Sequence, residues 1–138
     1  MTSRFHFLAP AVLAVLTTGA ALAAEEPAAS SDSPETAASL YGQSVTLPRQ
    51  ATACAERIAD YMPRFQKFFD AWHAENATKI AAGGKFIHEQ AAKGGVDADA
   101  GMARLADADV ERLRKTSTEL LARHCQLILE SLAPPAAN

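Results

Sequence analysis

Cysteine, aromatic residues and net charge are all scarce in this chain. There are two Cys, one Trp, two Tyr and six Phe in 138 residues, and 13 basic side chains face 16 acidic ones. Two cysteines 71 apart (125 − 54) form no C-x-x-C, so a covalently attached haem is excluded and a structural bond is expected over a redox-active pair. The shortage of aromatic and β-branched residues, set against abundant alanine, argues against a sheet and for closely packed helices. From Leu40 onward basic and acidic residues are balanced and interspersed, which leaves no electrostatic footprint for a nucleic acid.

Catalytic and metal motifs are missing as well. His88-Glu89 begins an H-E-x-x-H pattern, but position 92 is Ala. Gly83-Gly84-Lys85 lacks the remainder of a phosphate loop. Asp97-x-Asp99-x-Gly101 opens like a calcium loop, yet its twelfth position is Ala108 rather than a bidentate acid. Ser117 and His124 stand two helical turns apart, roughly 10 Å, too far for a nucleophile and its base. The chain is therefore not expected to be an enzyme, and no cofactor is expected. His73, His88 and His124 are weak metal candidates, because no sequence spacing makes them converge.

Two ends of the chain have their own character. Residues 1–23 have the form of a secretory signal peptide: Arg4, an apolar run from Phe7, and the small residues of Ala21-Leu22-Ala23 before the expected cleavage point. That run is shorter than the ~20 residues a spanning helix needs, and no later segment could span a bilayer. A periplasmic or secreted protein is expected. Residues 24–46 are rich in Ala, Ser, Glu and Pro and predict a disordered leader. Residues 134–138 begin with Pro134-Pro135 and predict a frayed tail.

Between them, residues 47–133 have helical periodicity. Leu47, Ala51, Cys54, Ile58, Met62, Phe65, Phe69, Trp72, Asn76, Ile80, Gly83, Ile87 and Ala91 recur every three or four positions. Pro63 and Gly83-Gly84 are where this first arm is expected to kink or break. Gly94-Gly95 predicts a firm stop, and Asp97 or Asp99 can cap the next helix. A second face runs through Leu105 or Ala106, Val110, Leu113, Ser117, Leu121, Cys125, Ile128 and Leu132, reading as one long helix.

The two cysteines lie on these faces, and in an oxidising compartment such a pair is bridged. Cys54 stands about 40 residues before the glycine turn and Cys125 about 30 after it, a mismatch of roughly 15 Å at helical rise. A disulfide needs Cα atoms within about 7 Å. Two straight helices cannot meet that condition, so the expected fold is an all-α, disulfide-clasped bundle of three or four segments with an antiparallel return at Gly94-Gly95.

Function is far less legible. Tyr61, Phe65, Phe68, Phe69 and Trp72 form the densest cluster and cover an arc wider than one seam. Core packing is the ordinary explanation, and a partner-binding patch is the functional one. Asn76, on a core-facing step, could fix helix register. The reading taken forward is a non-catalytic protein-binding module, such as an inhibitor, an immunity-like protein or an envelope accessory factor, whose partner is another envelope or secreted protein. The rivals are a periplasmic carrier of a small molecule, metal or haem (Met62 and His124 being the only haem pair to consider) and a self-assembling homo-oligomer.

Overall fold

Ser33-Pro34-Glu35 opens the first helix by three local effects. The Ser33 hydroxyl accepts from the Thr36 amide at 3.1 Å, Pro34 takes a position that needs no N–H, and Glu35 lies in the first turn, where an acid suits the helix dipole. In the computed structural model, which describes residues 33–134, this helix is α1 (Pro34–Ala55). It is followed by α2 (Tyr61–Lys93), α3 (Ala98–Lys115) and α4 (Thr118–Leu132). The described residues contain no strand, and none of their helices is long and apolar enough to cross a membrane. Residues 1–32 and 135–138 lie outside this description, so the expected signal peptide (residues 1–23) and most of the expected frayed tail do too.

Four expectations need correction. Residues 34–46, read from composition as part of a disordered leader, are helical. The Gly83-Gly84 pair does not break α2. A Cβ on Gly83 would lie 1.9 Å from the Ala37 carbonyl oxygen, and one on Gly84 would lie 3.1 Å from the Tyr41 ring. The glycines therefore form a flat seat on which α1 lies almost backbone to backbone. This contact is why a segment with few large apolar side chains is ordered. It gains dispersion from close approach of small residues and from the Tyr41 ring lying over Gly84.

The third correction concerns Pro63. The chain breaks before it, at residues 56–60, where the Ile58 amide donates back to Cys54 O and Asp60 adopts a left-handed φ of 58°. Pro63 then falls at the third position of α2, inside the first turn, where a missing N–H costs no helical bond. The interior proline is instead Pro48 of α1, which cannot donate to the Ser44 carbonyl. Fourth, the last arm is two helices. Ser117 stands between α3 and α4 and caps the latter, its hydroxyl accepting from Leu120 N at 3.4 Å.

The glycine stop is as expected. The amide of Gly95, with φ of 66°, donates to Ala92 O, and that of Val96 donates to Ala91 O, the paired bonds of a Schellman motif. Asp97 is the cap of α3, accepting from Ala100 N at 3.0 Å.

Helix directions are set by the contacts. Gly83 meets Ala37 near one end, so α2 runs antiparallel to α1. Arg49 reaches Asp107 and Ala103 O, and Glu56 reaches Arg114, so α3 runs parallel to α1. α4 returns beside the first half of α2, its last residues meeting Trp72 and Asn76. α1 packs on all three other helices. With 15 residues against 33, α4 covers only part of α2. The bundle thus has four helices around the cysteines and three around the glycines.

The core lies at the four-helix end. Leu47, Ala51, Cys54, Tyr61, Phe65, Val110, Leu113, Leu121, Cys125, Ile128, Leu129 and Leu132 are buried together. Each fully buried Leu, Ile or Phe contributes about 1.5–3 kcal/mol by leaving water. The Cys54–Cys125 disulfide joins α1 to α4 inside this cluster, with a Cα separation of 5.8 Å and both residues fully buried.

Candidate functional site

Three constellations are candidates, two at the disulfide end and one at the glycine end. The first begins with the aromatic cluster of α2. Tyr61 and Phe65 are buried, at 2% and 3% exposure, so neither can meet a partner directly. Tyr61 donates its hydroxyl to Cys125 O at 3.0 Å, tying α2 to α4 beside the disulfide. Burial pushes its phenol up to about 12, opposed by Arg64, so it is a permanent donor. Phe65 stacks on Phe69 at 5.2 Å between centroids, and Phe69 leans on Trp72 at 5.7 Å and His73 at 5.7 Å. Phe68, Phe69 and Trp72 are half-buried against the core. The cluster is an aromatic spine of the fold with an open outer edge. Asn76 turns its amide to Trp72 O, one turn back on its own helix, at 2.8 Å. It does not join two helices, so the register role is not realised.

The outer face of α4 is the feature that sequence reasoning missed. Its core face carries Leu121, Cys125, Ile128, Leu129 and Leu132. Leu120 and Leu127 fall outside that face and are 59% and 55% exposed. Seven residues apart, they lie within roughly 20° of one line along the helix. His124 lies between them, and Leu120 and His124 border a shallow depression with Arg112, Leu113 and Thr116 of the α3 end. The signal was present as two leucines off the i, i+3, i+4 pattern of their own helix.

His124 is held by a relay across three helices. Its Nε2 donates to Gln50 Oε1 at 3.2 Å, Gln50 Nε2 donates to Asp109 Oδ2 at 3.2 Å, and Arg112 donates to Asp109 Oδ1 at 2.7 Å. Burial, with help from the Arg112 charge, pushes the imidazole below its ordinary value, against the pull of Asp109. The fold thus favours the neutral His124 imidazole over the cation. Its contribution to stability is present above the unfolded value of about 6.5 and is lost as pH falls from there toward the lowered folded value.

The third constellation lies at the glycine end. His88 Nδ1 is 2.7 Å from Gly84 O and its Nε2 is 3.0 Å from Asp99 Oδ1. The Tyr41 hydroxyl donates to the same carboxylate oxygen at 3.4 Å, and its ring meets that of His88 edge-on at 6.0 Å. The Gly84 carbonyl and Asp99 raise the His88 pKa, and burial together with Asp99 raises that of Tyr41.

Among the described residues no three His, Cys, Asp or Glu side chains group to hold a metal ion. His73, His88 and His124 are separated accordingly: the first lies beside Phe69, the second at the glycine end, the third beside the disulfide. Arg114 grips Glu56 at 2.7 Å and Glu111 at 2.9 Å, and its hydrogen bonds hold the Glu56 carboxyl below the usual range. Arg57 donates to Arg114 O and Thr116 O, closing the carbonyl end of α3. No protein-family model, curated protein or solved structure matches this chain.

Proposed function

We propose that this is an exported, non-catalytic module that works by binding another envelope or secreted protein through the outer face of α4. Export is supported by the form of residues 1–23 and by a disulfide of the kind that persists in oxidising compartments.

The observation that carries the reading is the pair Leu120 and Leu127, more than half exposed on one line of a helix whose opposite side is fully buried. Apolar area left in water forgoes about 25 cal/mol per Å², which a partner covering both leucines would recover, and protein interfaces have an apolar centre with a polar rim. Arg112, Thr116 and His124 supply such a rim beside Leu120. The open edge of Phe68, Phe69 and Trp72 offers further apolar contact at the same four-helix end.

The test compares the wild-type protein with a Leu120→Ser/Leu127→Ser variant as immobilised bait in envelope extract, after circular dichroism has established equal helicity. The wild type should retain a protein that the variant binds at least about tenfold more weakly, the loss of some 1.4 kcal/mol that one hot spot supplies. Equal retention by both proteins, or none by either, would count against this face.

A further inference from the structure

His88 has an unusual pair of neighbours. A peptide carbonyl and a carboxylate are both acceptors, and neither can donate. Gly84 O lies 2.7 Å from one ring nitrogen and Asp99 Oδ1 lies 3.0 Å from the other. Neutral imidazole carries one N–H and could satisfy only one of them. Both bonds exist together only when both nitrogens carry hydrogen, that is, as imidazolium.

The location matters as much as the chemistry. His88 and Gly84 both belong to α2, so that bond lies within one helix and orients the ring; Asp99 belongs to α3, and Tyr41, which shares the Asp99 oxygen, to α1. This is the end of the bundle without α4, and no disulfide holds it. Gly83 and Ala37 touch there through backbone, and the Tyr41 ring lies over Gly84.

We propose that His88 is the proton-operated bolt of the glycine end: the imidazolium, oriented by Gly84 O of its own helix, fastens α2 to α3 through Asp99, whose same oxygen takes the Tyr41 hydroxyl of α1, and loss of its proton loosens that end, the first half of α1 included. The charged groups acting on the ring are Asp99 and Asp97 from α3, both favouring the cation, while α1 presents the neutral Tyr41. On its own helix, Lys85 and Glu89 face each other as an ion pair at 3.9 Å. His88 is half-exposed, so solvent protons reach it directly.

Linkage fixes the direction of the effect. The folded state holds the proton more tightly than the unfolded one, so the bolt acts in full below about pH 6.5 and is lost as pH rises through the folded His88 value.

The experiment is an NMR titration of the full chain, reading the His88 ring signals together with amide protection factors for residues 36–46. His88 should titrate above about 6.5, and Asp99→Asn should bring its midpoint down. Protection over residues 36–46 should fall at least about fivefold between about pH 5.5 and about pH 8.5, and in His88→Gln it should not vary with pH. A His88 midpoint at or below that of free imidazole would overturn the proposal. So would a fall in protection of the same size in His88→Gln.

Discussion

The two ends of the bundle are fastened by different means. At the disulfide end four helices surround a core of leucines, aromatics and the Cys54–Cys125 bridge. At the glycine end three helices meet through Gly83, Gly84, Ala37 and the ring of Tyr41, with a hydrogen-bonded histidine at the edge. One end draws on buried area and a covalent bond, the other on close backbone approach and a proton. The histidines reflect the same division. Protonation opposes the folded state at His124 and favours it at His88.

The largest expected effect comes from cutting the covalent fastening. Cys54→Ser removes a bridge spanning 71 residues, and chain entropy assigns about 4 kcal/mol to a loop of that size. The melting temperature should drop by more than about 10 °C, since 1 kcal/mol corresponds to roughly 4–8 °C in a domain of this length. An unchanged melting curve would mean that the core needs no clasp.

Next comes the glycine seat. Gly83→Ala places a methyl on the Ala37 carbonyl, so the helices must separate, and calorimetry should show a loss of about 1–3 kcal/mol. Gly84→Ala meets only the Tyr41 ring, which can swing aside, and the alanine gains up to about 1 kcal/mol in helix propensity. The two neighbouring substitutions should therefore differ, with only Gly83→Ala clearly destabilising. Equal effects would remove the backbone contact from the account of this end. The smallest loss returns to the core: Tyr61→Phe removes the second donor to the Cys125 carbonyl, which keeps its bond within α4, at a cost of about 0.5–1.5 kcal/mol in urea unfolding. A neutral result would show that the hydroxyl is incidental to the four-helix end.

The same division explains what could be read from the residues. At the disulfide end large apolar side chains recur at helical spacing, and Leu47, Ala51, Cys54, Phe65, Val110, Leu113, Leu121, Cys125, Ile128 and Leu132 are all buried as that spacing implies. The glycine end uses contacts that leave little trace in a hydrophobic pattern. Ala37 and Gly83 carry almost no side chain, so residues 34–46 look like a tether although Ser33-Pro34-Glu35 is a well-formed helix start. The break at Thr116-Ser117 is hidden because a capping serine at that step interrupts the chain without disturbing the apolar period. Pro63 misleads in the opposite direction, since a proline read as a breaker also suits a first turn. For the candidate surface, Leu120 and Leu127 are visible as misfits, but only the packing of α4 shows which side of that helix is left open.

The bridge between residues 54 and 125 also sorts the chain topologically. It turns residues 54–125 into a covalent ring that contains all of α2 and α3. A protease that nicks any loop inside the ring leaves one molecule, its pieces still tied through sulfur. A single cut between Pro34 and Ala53 instead leaves the first part of α1 with no covalent tie to the ring, so the segment under the histidine bolt is, among the described residues, the helical stretch before the ring that a single cleavage detaches.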